Sequence, residues 1–176
     1  MIFERPFPRR LDLLHKMVEL EEDVRYQEMA SEGEPEIAIE RGRGSILLSA
    51  PHGAVHCRKG KLKNEDEFTV AMVRMVARLT GVHVIYARRR SDSDPNWYSD
   101  APYKAILKTL IAEENISFVL DFHGSSAKRS FGIGIGTLHG QSCAGSMDII
   151  LNVLGAHRFS NSASTRLERL DIDQTF

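Results

Sequence analysis

Residues 45–53 read SILLSAPHG and residues 117–124 read SFVLDFHG. Each is a short apolar run that ends in histidine followed by glycine, and SILLSA is continuous enough to predict a strand at the centre of a sheet. Outward from the first run, EIAIE (36–40) predicts a shorter strand set off by the glycine turn RGRG, and the β-branched VHVIYA (82–87) predicts another. Between these strands, Phe68, Met72, Met75, Val76 and Leu79 follow the helical period, with Asn64 and Glu67 spaced as a capping box and Thr80-Gly81 as the stop. Tyr103, Ile106, Leu107, Leu110 and Ile111 mark a second helix. Later come a glycine-interrupted strand, FGIGIGTL, a helix over MDIILNVLG and the segment LERLDID. This alternation predicts a three-layer α/β fold with a mainly parallel or mixed central sheet and helices on both faces. Residues 11–31, with Leu11, Leu14, Met17, Val18 and Val24 between charges, suit an amphipathic helix. The expected organisation is an N-terminal helical arm over 1–35 followed by an α/β domain over 36–176.

Composition excludes several classes of function. The chain has 176 residues, 23 Lys+Arg against 24 Asp+Glu, and a formal charge of −1, so no global field favours nucleic acid or an anionic membrane. No apolar stretch is long enough for a membrane span, and MIFERPFPRRLDLL lacks the core of a signal peptide, which points to the cytoplasm. Cys57 and Cys143 cannot build a disulfide framework. GxGxxG before a helix, GxxxxGK[ST] and GxSxG are all absent, which disfavours nucleotide cradling by the familiar loops and a serine-hydrolase elbow.

The two His-Gly strand ends carry the strongest chemical signal. If both strands are central and parallel, His52 and His123 emerge on one rim of the sheet, where functional residues of α/β proteins gather. A catalytic zinc site takes about three protein ligands, commonly a mixed imidazole and carboxylate set. The acids Glu65, Asp66 and Glu67 follow the His52 loop, and Asp66 is the first choice for the third ligand. His56 is the competing ligand, better suited to supporting the site than to binding the ion. Asp121, two residues before His123, shares its strand face, where it either orients the ring through the other nitrogen or is satisfied by backbone donors at the sheet end. The loop RRRSDSDPNW (88–97) is longer than usual connections, and an arginine within it, Arg90, suits a substrate carboxylate.

Together and in this order, SAPHG (49–53), Asp66 to Thr69, DPNW (94–97), the helix start Tyr103-Lys104 and LDFHG (120–124) resemble the N-formylglutamate amidohydrolase family. The resemblance spans roughly residues 45–140. It implies a phosphorylase/hydrolase-like scaffold similar to zinc carboxypeptidases and hydrolysis of an N-acyl amide beside a carboxylate, in a small acyl-amino-acid substrate. It also implies one zinc ion on His52, Asp66 and His123, with Asp94 and Asn96 of the DPN loop shaping the substrate pocket. The family's general base belongs to a late acidic strand. Asp171 of LDID (170–173) is the matching position, with Glu168 as another candidate. Aligned instead as the preceding strand, LDIDQTF leaves that acid beyond residue 176 and the domain C-terminally incomplete. A pseudoenzyme that keeps the pocket, and a γ-glutamyl or acylamino-acid hydrolase on the same scaffold, are the alternatives.

Overall fold

The computed structural model describes residues 10–126, 128, 132–138, 141–143, 145–157, 159 and 167–170. In chain order they form α1 (Arg10–Glu21), β1 (Arg25–Met29), β2 (Ile37–Glu40), β3 (Ile46–Ala50), β4 (His56–Arg58), β5 (Lys61–Lys63) and α2 (Thr69–Thr80). There follow β6 (His83–Ala87), β7 (Arg89–Arg90), α3 (Pro102–Glu113), β8 (Phe118–Asp121), β9 (Ile133–Gly136), α4 (Met147–Ala156) and β10 (Leu167–Leu170). The chain divides into two compact units, Met1–Gly124 and Ser125–Phe176. In the second, β9 and β10 pair in parallel and α4 carries the MDIILNVLG run. No described helix is long and apolar enough to cross a membrane.

The first unit is a three-layer α/β fold around a mixed four-stranded sheet of order β2-β6-β3-β8. β3 runs parallel to both β6 and β8, and β2 closes one edge antiparallel to β6. Because strand side chains alternate, the continuous apolar runs feed two cores. Leu48, Ala50, Val84 and Tyr86 pack on one face with Val70, Val73 and Ala77 of α2. Leu47, Ile85 and Ala87 pack on the other with Tyr103 and Leu110 of α3 and with Ile116.

Three local expectations are corrected. The helix expected over 11–31 stops at Glu21, and Arg25–Met29 instead forms β1, paired in parallel with β7. Of the apolar residues of that stretch only Leu20 and Val24 are deeply buried, whereas Leu11, Leu14 and Val18 are exposed, so the apolar stripe anchors the segment at its C-terminal end alone. The helix after His52 exists, but Phe68, Met72 and Leu79 are exposed and its packed face is Val70, Val73 and Ala77. The smaller residues let the helix lie closer to the sheet.

The third correction concerns how that helix begins. α2 starts at Thr69, not at Asn64, and its cap residue Phe68 has φ 61° with no side-chain cap bond. The cap comes from elsewhere in the chain. The buried Glu21 carboxylate, at the end of α1, accepts the Phe68 N–H at 3.2 Å, the Ala71 N–H at 2.6 Å and the Tyr26 hydroxyl at 2.8 Å. A carboxylate at a helix N-terminus satisfies otherwise orphaned donors and complements the helix dipole. With that role filled by Glu21, the Glu65-Asp66-Glu67 segment is left outside the helix.

Candidate metal centre

β3 and β8 are parallel neighbours with Ser49 opposite Asp121, so the chains leaving them emerge together on one rim. Both His-Gly pairs lie there. The two glycines are needed for different reasons. A Cβ on Gly53 would stand 2.4 Å from both the Ala87 carbonyl oxygen and Val70 Cγ2, so this glycine lets the loop pass between sheet and helix. A Cβ on Gly124 would stand 2.9 Å from Asp66 Oδ1. Its absence admits the carboxylate.

Of the three acids after the His52 loop, Asp66 alone meets the histidines. Its backbone N–H donates to the His52 carbonyl at 2.8 Å, while its own carbonyl accepts the Thr69 hydroxyl at 2.6 Å. Held so, its Oδ2 lies 3.5 Å from His52 Nδ1 and 3.3 Å from His123 Nδ1. One ligand atom from each of His52, Asp66 and His123 falls within 4.8 Å of the others. Burial decreases from His52 through Asp66 to His123, whose side chain is 32% exposed, so the group opens to solvent on one side.

The outer nitrogen of each ring is also engaged. His52 Nε2 lies 3.1 Å from Oδ1 of Asp94, a fully buried carboxylate whose Oδ2 accepts Arg58 Nε–H at 2.5 Å. His123 Nε2 lies 3.0 Å from the Asn96 side-chain amide. The Asn96 N–H donates to Asp94 Oδ1 at 2.8 Å, folding the DPN loop so that one tight turn serves both rings. Asp94 and Asn96 therefore stand behind the histidines.

His56 begins β4 and stacks on His52, ring centroids 4.0 Å apart and planes 7° from parallel. His56 Nε2 is 3.5 Å from Asp94 Oδ2, and His52, His56 and Asp94 form a second group of metal-ligand type.

Electrostatics follow from this crowding. Burial pushes the Asp66 carboxyl up, but the bonds from His123, His52 and the Gly124 N–H outweigh it and hold the group well below the usual carboxylate range. Asp94 is likewise held low, burial being outweighed by His52, Arg58 and the Asn96 N–H. His52 is raised, because its two carboxylate partners overcome the effect of burial. His56 is lowered to about 4, first by burial and then by the charge of His52.

Asp121 takes a different place from the one its spacing suggests. His123's ring nitrogens face Asp66 and Asn96, whereas the Asp121 carboxyl is bonded by Ser49 and pushed up by burial, with Oδ1 left without a partner. Arg90 pairs with Asp92 at 3.9 Å, and the arginine that reaches the site is Arg58. Of the late acids, Asp171 lies outside the described residues, and Glu168 is described in its backbone alone, opposite Gly134. Arg58 and Glu21 were not legible as site residues. Arg58 lies 36 residues from the Asp94 carboxylate it meets, and Glu21 lies 47 residues from the Phe68 N–H that it accepts.

Fold and site define a three-layer α/β protein with clustered His and Asp side chains able to hold a metal ion. Comparison with protein-family models, curated proteins and solved structures returns no match for the chain.

Proposed function

We propose that this chain is a zinc-dependent amidohydrolase whose ion is held by His52, Asp66 and His123. The observation that carries this reading is the placement of one carboxylate oxygen, Asp66 Oδ2, 3.5 and 3.3 Å from two imidazole nitrogens at neighbouring strand ends. Tetrahedral ligands ~2.0–2.1 Å from one ion stand roughly 3.3–3.4 Å apart, close to the separation of Asp66 Oδ2 from each imidazole nitrogen. The second group fits less well. Both Asp94 oxygens are already engaged, Oδ1 by the Asn96 N–H and Oδ2 by Arg58.

Bound zinc supplies Lewis acidity and lowers the pKa of water towards ~7. Asp94 orients His52 and favours the proton on Nε2, leaving Nδ1 as the donor atom. Asn96 meets the outer nitrogen of His123, to which an amide offers either a donor or an acceptor. The exposed side of His123 is where an acyl-amino-acid amide of the N-formylglutamate type, or a γ-glutamyl relative, would enter. Glu168 and Asp171 remain the proposed proton-transfer acids, on a scaffold of the zinc-carboxypeptidase kind.

A second reading is a metal-binding protein without turnover. It is favoured by the fact that the described carboxylates nearest the histidines are all engaged: Asp66 between the rings, Asp94 on Arg58, and Asp121 on Ser49. Elemental analysis and formate or amino-acid release from N-acyl substrates with added zinc separate the readings. Stoichiometric zinc with turnover supports the hydrolase, and zinc without turnover supports the second reading. Absence of bound zinc, unchanged by His52→Ala with His123→Ala, overturns both.

A further inference from the structure

The hairpin that carries His56 and Arg58 into the site also carries a row of charge. β4 and β5 pair antiparallel, with His56 opposite Lys63, Cys57 opposite Leu62 and Arg58 opposite Lys61. Residues directly opposite one another, and residues two apart on a strand, share a face. His56, Arg58, Lys61 and Lys63 therefore share one face, and because His56 and Arg58 both approach Asp94, that face is the one turned to the site. Lys59 adds a further cation in the connecting turn, at φ 53° before Gly60 at φ 70°.

Like charges opposite one another weaken a hairpin unless something neutralises them. Arg58 has Asp94, but among the described residues Lys59, Lys61 and Lys63 have no ion pair, and all three are exposed. Trp97, itself 45% exposed, gathers two of these cations: Lys59 Nζ lies 4.5 Å and the Arg58 guanidinium carbon 5.2 Å from its ring. Trp97 follows Asn96 in the chain, so the contacts close into a ring from His52 through Asp94, Arg58, Trp97 and Asn96 to His123.

We propose that this hairpin face is a subsite for an acidic oligopeptide, with alternate carboxylates of an extended chain laid along Lys63 and Lys61, Arg58 standing across the hairpin from Lys61 and Lys59 adding charge at the turn. Alternate side chains of an extended peptide repeat every ~6.5–7 Å, the same interval that separates Lys61 from Lys63 on their strand. The guanidinium of Arg58 keeps nitrogens beyond the Nε that Asp94 uses, suited to paired bonds with a carboxylate. A nucleic-acid strand fits less well, because Trp97 already meets two cations and offers a poorer stacking platform. That the bound chain is also cleaved rests on the metal-hydrolase reading, whereas its binding does not.

Trp97 is the sole tryptophan of the chain, so its fluorescence reports directly on this subsite. The protein, with and without added zinc, is titrated with hexaglutamate, N-acetylglutamate, hexaglutamine and a hexathymidylate. Hexaglutamate should perturb Trp97 and bind at least about tenfold more tightly than N-acetylglutamate, because several carboxylates on one chain act together. Binding should weaken with salt, and Lys61→Glu with Lys63→Glu should abolish the length preference while leaving zinc content unchanged. Equal affinity for the single residue and the hexamer overturns the inference, as does tighter binding of the hexathymidylate. Hexaglutamate binding in a protein that holds no zinc sustains the subsite and removes the metal reading. Zinc binding without any length preference does the reverse.

Discussion

His52 Nε2 and Asp94 Oδ1 lie 3.1 Å apart in the interior, and Asp94 exposes no surface at all. A buried carboxylate on the outer nitrogen of an imidazole fixes which nitrogen carries the proton and which way the ring faces. Asp94→Asn keeps the shape and removes the charge. It should lower zinc affinity by about 10–100-fold, the usual effect of losing such a partner. Competition with a chromogenic chelator measures this, and unchanged affinity would show that Asp94 serves only Arg58.

Zinc affinity should fall as pH falls, since an ion competes with protons for His52, His123 and Asp66. The metal-free protein should show the opposite trend above neutrality. His52 is raised in the folded state by Asp66 and Asp94 against the effect of burial, so its contribution is complete below the unfolded value of ~6.5 and is lost as pH rises through the folded value. Asp66 and Asp94 are lowered, so theirs is present above the unfolded value of ~3.9 and is lost as pH falls. His56 is lowered to about 4, so it costs stability as pH falls below its unfolded value of ~6.5, and thermal melts in chelator should therefore peak near neutrality and decline on either side. A zinc-saturated sample should shift that maximum upward.

Glu21 joins the N-terminal segment to the helix that follows Asp66. Glu21→Ala removes the acceptor for the Phe68 and Ala71 amides. Leaving the buried Ala71 donor without a partner costs ~1–3 kcal/mol. Denaturant unfolding should show that loss. Zinc affinity should fall as well, because the segment bearing Asp66 is tied at one end by His52 and at the other by this cap. A stability loss with unaltered zinc affinity would confine Glu21 to the fold.

The two glycines after the histidines give a paired test. Gly53→Ala places a Cβ against backbone and Val70, and overpacking of this kind costs ~1–3 kcal/mol. Gly124→Ala places a Cβ against the Asp66 carboxylate, and should lower metal affinity with little change in the thermal midpoint. Calorimetry together with metal titration of both variants checks the contrast. Identical behaviour of the two would remove the functional distinction between them.

The runs SILLSA and SFVLDF, each ending in His-Gly, determined by themselves that both would be strands, because apolar continuity is a local property; the sheet set SILLSA at its centre and SFVLDF beside it at an edge, and their parallel pairing put the two histidines on one rim. Asp66 was legible as a candidate among three neighbouring acids, although only its fixing between the His52 carbonyl and the Thr69 hydroxyl singled it out. What tertiary structure alone decided was every contact across long sequence separation. Glu21 replaced the expected capping box, Arg58 took the place beside Asp94, and Asp94 and Asn96 came to stand behind the rings. Helical spacing located α2 but not its buried face, since Val70, Val73 and Ala77 satisfy the same period as the larger residues that remain exposed. Periodicity says that a stripe exists, and the close approach of helix to sheet chooses which one is covered.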